Sequence, residues 1–451
     1  MIISVVSLNW PLFRGWMGQC MSTANGAADG QRPIQSGKAE KYLDSKTDEN
    51  KAIIEGLAGA YKVLKLLGSG AEGNTYLVQD CNTNQNWAIK LIKLPLPTRF
   101  VQAIFREIKL QSELGEGHNN IITPEEVVLT SHYLGLVMEF APGGSLTSFI
   151  TQRFRECKGV GLLMPEDEAL YFFKQLVNAV DYCHRHHVVH RDLKLDNTLL
   201  SGTNPPLIKL CDFGFARGWG DDSHFTTVIG TPDYMSPQIT AAKAQGKALY
   251  DGTKADVWAM GVLLCVSLIG KFPFEGDSVS TMGVNDPMKK IWVQQNKSTW
   301  SNNSLLKDQL PYLSAEVMDL LDKVFELDEQ KRIDVKGIKA HPWFNKAMRP
   351  ELEAATAKLE ADQLVNDKKV ASGAYHSKRR DAAISNLIKL AASDEFRKRA
   401  TEPVTEETTF QIWSRIGLRT ALEAYPVFDK KSLKNMLSFT DGFKQPSIKA
   451  A

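Results

Sequence analysis

The stretch HRDLKLDNTLLSGTNPPLIKLCDFGFAR, residues 190–217, decides how this chain is read. It holds two dense motifs, HRDLKLDN (190–197) and DFG (212–214), and further motifs flank it in a fixed order. Upstream stand LGSGAEGNTY with Gly68, Gly70 and Gly73, then WAIK ending at Lys90, then FREIKL with Glu107. Downstream follow GTPDYMSPQ (230–238), DVWAMG (256–261) and HPWF (341–344). Roughly ten specified residues stand in this order, and at ~5% average usage apiece a chance assembly is negligible.

Around these motifs the hydrophobic pattern changes along the chain. YKVLKLLGSG, NTYLVQD and NWAIKLIKL predict short successive strands separated by glycines and an Asn/Thr turn. RFVQAIFREIKLQSEL has helical spacing, and strands follow near VVLT and LGLVMEF. Beyond Pro142 the periodicity is mainly helical, as in PEDEALYFFKQLVNAVDYCHRH, which Pro165 opens. The fold class is therefore α+β: a small sheet lobe with one helix, then a larger helical lobe, an arrangement that offers a cleft for a ligand. Glycines let a backbone approach phosphate oxygens and present N–H groups to them. By itself G-x-G-x-x-G is weak, because dinucleotide-binding turns share it. Such a turn opens directly into a helix. Here another strand follows, and no acidic ribose ligand sits at the expected place, so the dinucleotide reading loses.

Composition narrows the class without deciding it. The 451 residues suffice for a two-lobed domain with extensions, and 43% hydrophobic with 24% charged residues is ordinary for a globular protein. A net charge of +2 gives no ground for nucleic-acid binding, which needs a clustered basic face. Six cysteines (Cys20, Cys81, Cys157, Cys183, Cys211 and Cys265) include no CxxC pair and read as reduced thiols. VWAMGVLLCVSLIG (257–270) is too short to span a bilayer and reads as a buried helix. The opening MIISVVSLNWPLF lacks the basic start and small-residue cleavage site of a signal peptide. These features predict a cytoplasmic protein.

Taken in order, the motifs resemble the eukaryotic protein-kinase family over about 285 residues, roughly 60 to 344. The resemblance implies the bilobal kinase fold over residues 57–344, with an antiparallel-sheet N-lobe at 57–141 and a C-lobe at 142–344. It implies transfer of the γ-phosphoryl group of ATP, with Mg²⁺, to hydroxyls of protein substrates. By the same resemblance Lys90 contacts the α/β-phosphates and pairs with Glu107, while Asn197 and Asp212 hold Mg²⁺, a cation that prefers oxygen ligands. Asp192 accepts or orients the substrate's hydroxyl proton, and Lys194 neutralises charge on the γ-phosphoryl group. A lysine at that place in HRDLKxxN marks the serine/threonine type. Gly68, Ser69, Gly70 and Gly73 belong to the expected nucleotide-binding loop, Leu67, Thr75 and Ala88 are the expected roof of the adenine pocket, and Leu199 the floor. Glu139 and Ala141 supply backbone bonds to the adenine, with Met138 as gatekeeper. Thr75 stands where the family usually has valine, and Ser145 replaces an acidic residue, leaving Asp196 for a basic substrate residue. HRDLKLDNTLLSGTNPPLIKLCDFGFAR, YDGTKADVWAMGVLL and FPFEG look nearest to the plant and algal relatives of sucrose-non-fermenting kinases, within the calmodulin-dependent kinase group.

The resemblance also locates a switch. Thr227 matches the activating phosphosite, with Arg191 and Arg217 placed to bind its phosphate and an upstream kinase as the source; Ser223 and Thr226 are the alternatives. Thr231 is expected on Asp192 and Lys194, and Asp256 beneath the HRD backbone. Gln238 replaces the family's glutamate opposite a buried arginine, expected to be Arg332, which predicts a softer C-lobe. His184, His186 and His187 have the spacing of a helix end entering a loop and do not read as a metal site.

The ends carry weaker signals. Residues 1–56 are read as a disordered extension. Within them MGQCMS fits an acylation pattern on Gly18 and Cys20 if translation starts at Met17, which would bring the protein to the membrane periphery. Residues 345–451 read as a helical extension, regulatory or merely solvated, and WSRIGL (413–418) has the apolar-basic character of a calmodulin target. The chain is expected to be a monomer. Two competing classes share the fold. A pseudokinase scaffold usually loses residues equivalent to Lys90, Asp192 or Asp212, and a small-molecule phosphotransferase lacks the GTPDYM peptide-docking segment.

Overall fold

In the computed structural model, the alternating stretch that begins at Tyr61 forms three strands, β1 (Tyr61–Ser69), β2 (Asn74–Asp80) and β3 (Asn86–Lys93). Helix α1 (Val101–Gly117) and strands β4 (Pro124–Thr130) and β5 (Tyr133–Glu139) follow, then helices α2 (Leu146–Glu156) and α3 (Glu166–Arg185). Six short strands come next: β6 (Val188–Val189), β7 (Thr198–Leu200), β8 (Ile208–Leu210), β9 (Arg217–Gly218), β10 (His224–Phe225) and β11 (Tyr250–Asp251), with α4 (Pro237–Gln245) before the last. Helices α5 (Gly252–Ile269), α6 (Pro287–Lys297), α7 (Ala315–Val324), α8 (Val335–Ala340), α9 (Pro350–Ala371) and α10 (Lys378–Ala391) precede a final strand, β12 (Ile412–Gly417). The structure describes residues 57, 60–70, 73–130, 132–156, 161–219, 223–245, 249–274, 286–297, 299–371, 378–393 and 412–417. The acylation stretch at Gly18 and Cys20 and the expected disordered extension lie outside the described residues.

The described residues divide into two compact units, the first drawn from Met1–Val101, Glu125–Phe140 and Ala382–Ala451, the second from Gln102–Pro124 and Ala141–Asp381. The first unit is built on an antiparallel sheet of order β1-β2-β3-β5-β4-β12. Tyr61, Tyr76, Val78, Ile89, Leu91, Val128 and Val137 form its core, with Trp87 packed against them. Strands β4 and β5 are buried along most of their length, whereas the second half of β1 is exposed. Gly135 is needed for the sheet to pack, because a Cβ there would meet Val128 Cγ2 at 2.7 Å and Ile89 Cδ1 at 2.9 Å. Strand β12 pairs with β4 from Ile412↔Thr130 to Gly417↔Glu126. It thereby covers backbone groups that an edge strand leaves open. The WSRIGL segment thus includes a strand, whereas the calmodulin-target reading needs a helix.

The second unit is helical. Helix α3 starts directly after Pro165, with Glu166, Asp167 and Glu168 in its first turn, where carboxylates favour the helix dipole. Helix α5 is long and apolar enough to cross a membrane, yet nearly all its side chains are buried inside this unit. Trp258 stacks on Phe274 at 5.0 Å, and Trp343 of the HPWF motif lies 5.9 Å from Phe173. Glu166 fastens that motif, accepting from the Ser314 amide (2.6 Å), Ser314 Oγ (2.7 Å) and Trp343 Nε1 (2.9 Å).

Candidate active site

Strands β7 and β8 pair as an antiparallel ladder with Thr198 opposite Leu210, so Asn197 and Cys211 leave its same end. The Cys211 amide donates to the Asn197 carbonyl at 2.9 Å, which brings two motifs fifteen positions apart together and delivers Asp212 beside them. Asp212 holds φ +63°, a conformation that few non-glycine residues adopt, and its Oδ1 accepts from the Gly214 amide at 3.4 Å.

The proton-handling candidate sits at the centre of a hydrogen-bonded cluster. Asp192, 4% exposed, accepts from Lys194 Nζ (2.7 Å) and Asn197 Nδ2 (3.1 Å) through Oδ2, and from Thr231 Oγ1 (2.8 Å) through Oδ1. Lys194 also donates to Thr231 Oγ1 at 3.1 Å. The close approach of the activation segment requires a glycine at 230, where φ is +110° and a Cβ would stand 2.7 Å from the Arg191 carbonyl. Tyr234, whose hydroxyl accepts from the Leu195 amide at 3.4 Å, is a support that sequence reasoning missed. Its only signal was its place inside GTPDYM.

Beneath this cluster lies Asp256, 1% exposed. Its carboxylate accepts from the His190 amide (3.0 Å), the Arg191 amide (2.9 Å) and His184 Nε2 (2.9 Å). Burial raises the Asp256 pKa, but the His184 bond, the nearby imidazoles and the His190 amide outweigh it and hold the carboxyl below the usual aspartate value. These bonds hold Arg191 in an unusual φ of +63°. His184 was missed as a brace, since a single histidine at a helix end carries no signature. His186 Nδ1 bonds the Tyr182 carbonyl at 2.8 Å, and His187 packs on Trp219. His190 is buried against Phe213 at 4.9 Å and donates from Nε2 to the Cys211 carbonyl at 3.2 Å, and burial lowers its pKa.

The regulatory candidates share an aromatic ring. Arg191 and Arg217 lie over Phe225 at 4.9 and 5.9 Å. Arg191 Nε donates to the Phe215 carbonyl, but the buried Nη1 has no hydrogen-bond partner among the described residues. Burial pulls the Arg191 pKa down, and the Arg217 cation adds to this. Thr227 is exposed, and its carbonyl accepts from Tyr250 Oη at 3.0 Å.

The substituted end of the activation segment is as expected. Gln238 Oε1 accepts from Arg332 Nη2 at 3.0 Å while its Nε2 donates to the Leu327 carbonyl. Arg332, 1% exposed, also donates to the Glu326 and Lys254 carbonyls and lies over Trp258, and burial lowers its pKa to about 10. A carboxylate would turn a neutral bond into a charge-assisted one while losing the bond to Leu327. Gln238→Glu is therefore expected to raise stability by about 1 kcal/mol net, seen as a higher midpoint in thermal unfolding.

The nucleotide candidates of the first unit lie on paired strands. Thr75 stands opposite both Gly68 and Lys90, and Ala88 opposite Met138. Leu67 is exposed and Thr75 half-buried, while Ser69 closes β1 opposite Asn74. The Gly70 amide donates to the Gly73 carbonyl. A Cβ at Gly73 would fall 2.1 Å from the Leu91 carbonyl oxygen, whereas one at Gly68 would meet nothing within 4 Å. Gly73 is thus required by the sheet itself; Gly68 is not. Glu139 ends β5 in this unit. In the second unit Glu107 is buried on α1, Ala141 is buried after β5, and Leu199 lies half-buried on β7.

The donor set fits Mg²⁺. Asn197 Nδ2 donates to the Asp192 carbonyl and carboxylate, which leaves the amide oxygen to serve as a ligand, and Asp212 adds a carboxylate. No cluster of three or more His, Cys, Asp or Glu side chains suited to a metal occurs among the described residues. A pair of oxygen ligands with substrate phosphates completing the shell is what Mg²⁺ prefers over an all-protein cage.

The protein kinase domain family matches residues 61–344. Serine/threonine-protein kinase SAPK2 of Oryza sativa subsp. indica is 36% identical over 292 residues, covering 65% of this chain and 78% of its own. Serine/threonine-protein kinase SRK2C of Arabidopsis thaliana is 37% identical over 294 residues, covering 65% and 77%, and SRK2G of the same plant 38% over 298, covering 66% and 77%. These relatives are sucrose-non-fermenting-related kinases. The match spans Lys90, Asp192, Asn197 and Asp212, and so the chain belongs to the serine/threonine protein kinases, which transfer the γ-phosphoryl group of ATP to protein hydroxyls.

Proposed function

We propose that this kinase is switched by phosphorylation of Thr227, with an upstream kinase as the donor. The observation that carries the reading is the buried Arg191 Nη1, which lacks a hydrogen-bond partner among the described residues, with Arg217 over the same ring. A buried guanidinium N–H without an acceptor is costly, and a phosphate on the exposed Thr227 supplies about −1.5 to −2 charge and three acceptor oxygens. Bound there, it ties the segment that ends at Thr231 to the loop that begins at His190. In this reading Asp192 orients the substrate hydroxyl, Lys194 steadies the transferring group, and Lys90 meets the α/β-phosphates. Gly68 has open space where a side chain would stand, consistent with backbone approach to phosphate oxygens.

The test uses the full chain, ATP, Mg²⁺ and a library of serine and threonine peptides. Active protein is expected to carry phosphate on Thr227 by mass spectrometry. Thr227→Ala is expected to be at least about tenfold slower, since one charge-assisted bond contributes about 1.5–3 kcal/mol and 1.4 kcal/mol is tenfold. Full activity with Thr227 unmodified would remove the switch.

A further inference from the structure

The C-terminal turn of α1 poses an accounting problem. The last four carbonyls of a helix lack intrahelical partners. Many helices solve this with a left-handed glycine, as α5 does at Gly270, where φ is +78°. Helix α1 ends in Gly117, which is not in that conformation. A Cβ at Gly117 would fall 1.7 Å from Tyr182 Oη, so this glycine serves close packing instead. The carbonyl caps come from outside. Thr123 Oγ1 donates to the Gly115 carbonyl at 2.9 Å. The other two come from helix α9, beyond the family-matched region: Asn366 Nδ2 donates to the Glu116 carbonyl (2.9 Å) and Gln363 Nε2 to the Gly117 carbonyl (2.8 Å). Gln363 Oε1 also accepts from the Asn119 amide at 2.9 Å, so one side-chain amide holds the main chain on both sides of His118.

The loop held in this way leads to the metal-binding end of β8. Asn120 receives the Leu210 amide on its carbonyl (2.7 Å), and its Nδ2 donates to the Ile208 carbonyl (2.9 Å) and Gln175 Oε1 (3.0 Å). The Ile122 amide donates to the Leu210 carbonyl at 2.8 Å. Two residues after Leu210 stands Asp212. Helix α9 is itself well anchored: Arg349, just before it, makes a two-point bond to Asp167 (2.7 and 3.1 Å), and Leu352 is buried. Leu352, Ala355, Thr356, Leu359, Gln363 and Asn366 are its shielded positions, one stripe that changes from mostly apolar to amide where it reaches α1.

We propose that Gln363 and Asn366 are positioning residues for phosphoryl transfer: by capping α1 they hold loop 118–122, and through it Asp212 just beyond β8 and Glu107 on α1. The C-terminal extension is then a working part of the catalytic unit. This rests on the kinase reading of Asp212 and Glu107. Small misplacements of reacting groups are expensive in rate.

The test compares full-length Gln363→Ala, Asn366→Ala, the double variant, Gln363→Glu and, as a control on the exposed face of α9, Lys358→Ala. The double variant, which removes three hydrogen bonds to residues 116–119, is expected to lose about tenfold in kcat/KM, equivalent to about 1.4 kcal/mol. Hydrogen exchange is expected to quicken at residues 118–122 and 208–212, with little change in the unfolding midpoint, because Arg349 and Leu352 still hold α9. Gln363→Glu keeps the acceptor but loses the donor and should fall with Gln363→Ala; Lys358→Ala should match the parent. A double variant within twofold of the parent overturns the proposal, as does a loss of rate without faster exchange in those two segments. An inactive parent chain would instead remove the kinase reading itself.

Discussion

Asp192→Asn is expected to lower kcat by about 10²–10⁴-fold, the usual worth of a positioned general base, while the protein still folds. The carboxylate takes three side-chain donors: Lys194 and Asn197 on Oδ2, Thr231 on Oδ1. Asparagine can keep the bond from Thr231. Its NH₂, however, would face the Lys194 ammonium and the Asn197 amide, leaving Lys194 with Thr231 Oγ1 and Asn197 with the backbone carbonyl of residue 192 as acceptors. The substitution therefore removes the acceptor for the substrate's proton and also weakens the hold on Lys194. Steady-state labelling of a serine peptide, with thermal unfolding beside it, separates the two effects. Labelling at the parent rate would refute Asp192 as the catalytic base.

The largest effect on stability is expected at Asp256. Asp256→Ala strands the His190 and Arg191 amides, both held by this carboxylate in the buried interior, and frees His184. At about 1–3 kcal/mol for each stranded donor, the loss should be roughly 3 to 5 kcal/mol. Arg191 would also lose the bond that keeps its backbone at φ +63°, so activity should fall with stability. Thermal unfolding checks the first expectation, and an unchanged midpoint would contradict it. The pH dependence has a definite sign. The folded-state pKa of Asp256 is depressed, so its contribution is fully present above the ordinary aspartate value of 3.8 and drains as pH falls below it. Asp256→Ala should accordingly flatten the acid limb of the stability curve.

Both predictions rest on residues that motif order had already singled out. Asp192, Thr231, Asp256 and Gln238 could be assigned partners, Arg332 among them, from the sequence because each sits in a short, dense motif whose resemblance to the kinase family carries those partners with it. The strands of the first unit and the start of α3 at Pro165 were equally readable, since short apolar runs punctuated by turn residues and a helix-opening proline are local signals. His184, Tyr234, Gln363 and Asn366 were not. A lone histidine, tyrosine, glutamine or asparagine on a helix or loop has no periodicity to mark it, and its partner is a backbone group remote in sequence. Strand β12 belongs with them, because its pairing with β4 joins segments nearly three hundred residues apart.

The amino-acid sequence by itself determined the kinase fold, the candidate phosphate-handling residues and the order in which they occur, because those depend on side-chain identity at close spacing. Only the tertiary structure decided that amide side chains of the C-terminal extension cap α1 and steady the approach to Asp212. A backbone carbonyl looks the same at every residue, and which one lacks a partner is known only when the chain around it has folded.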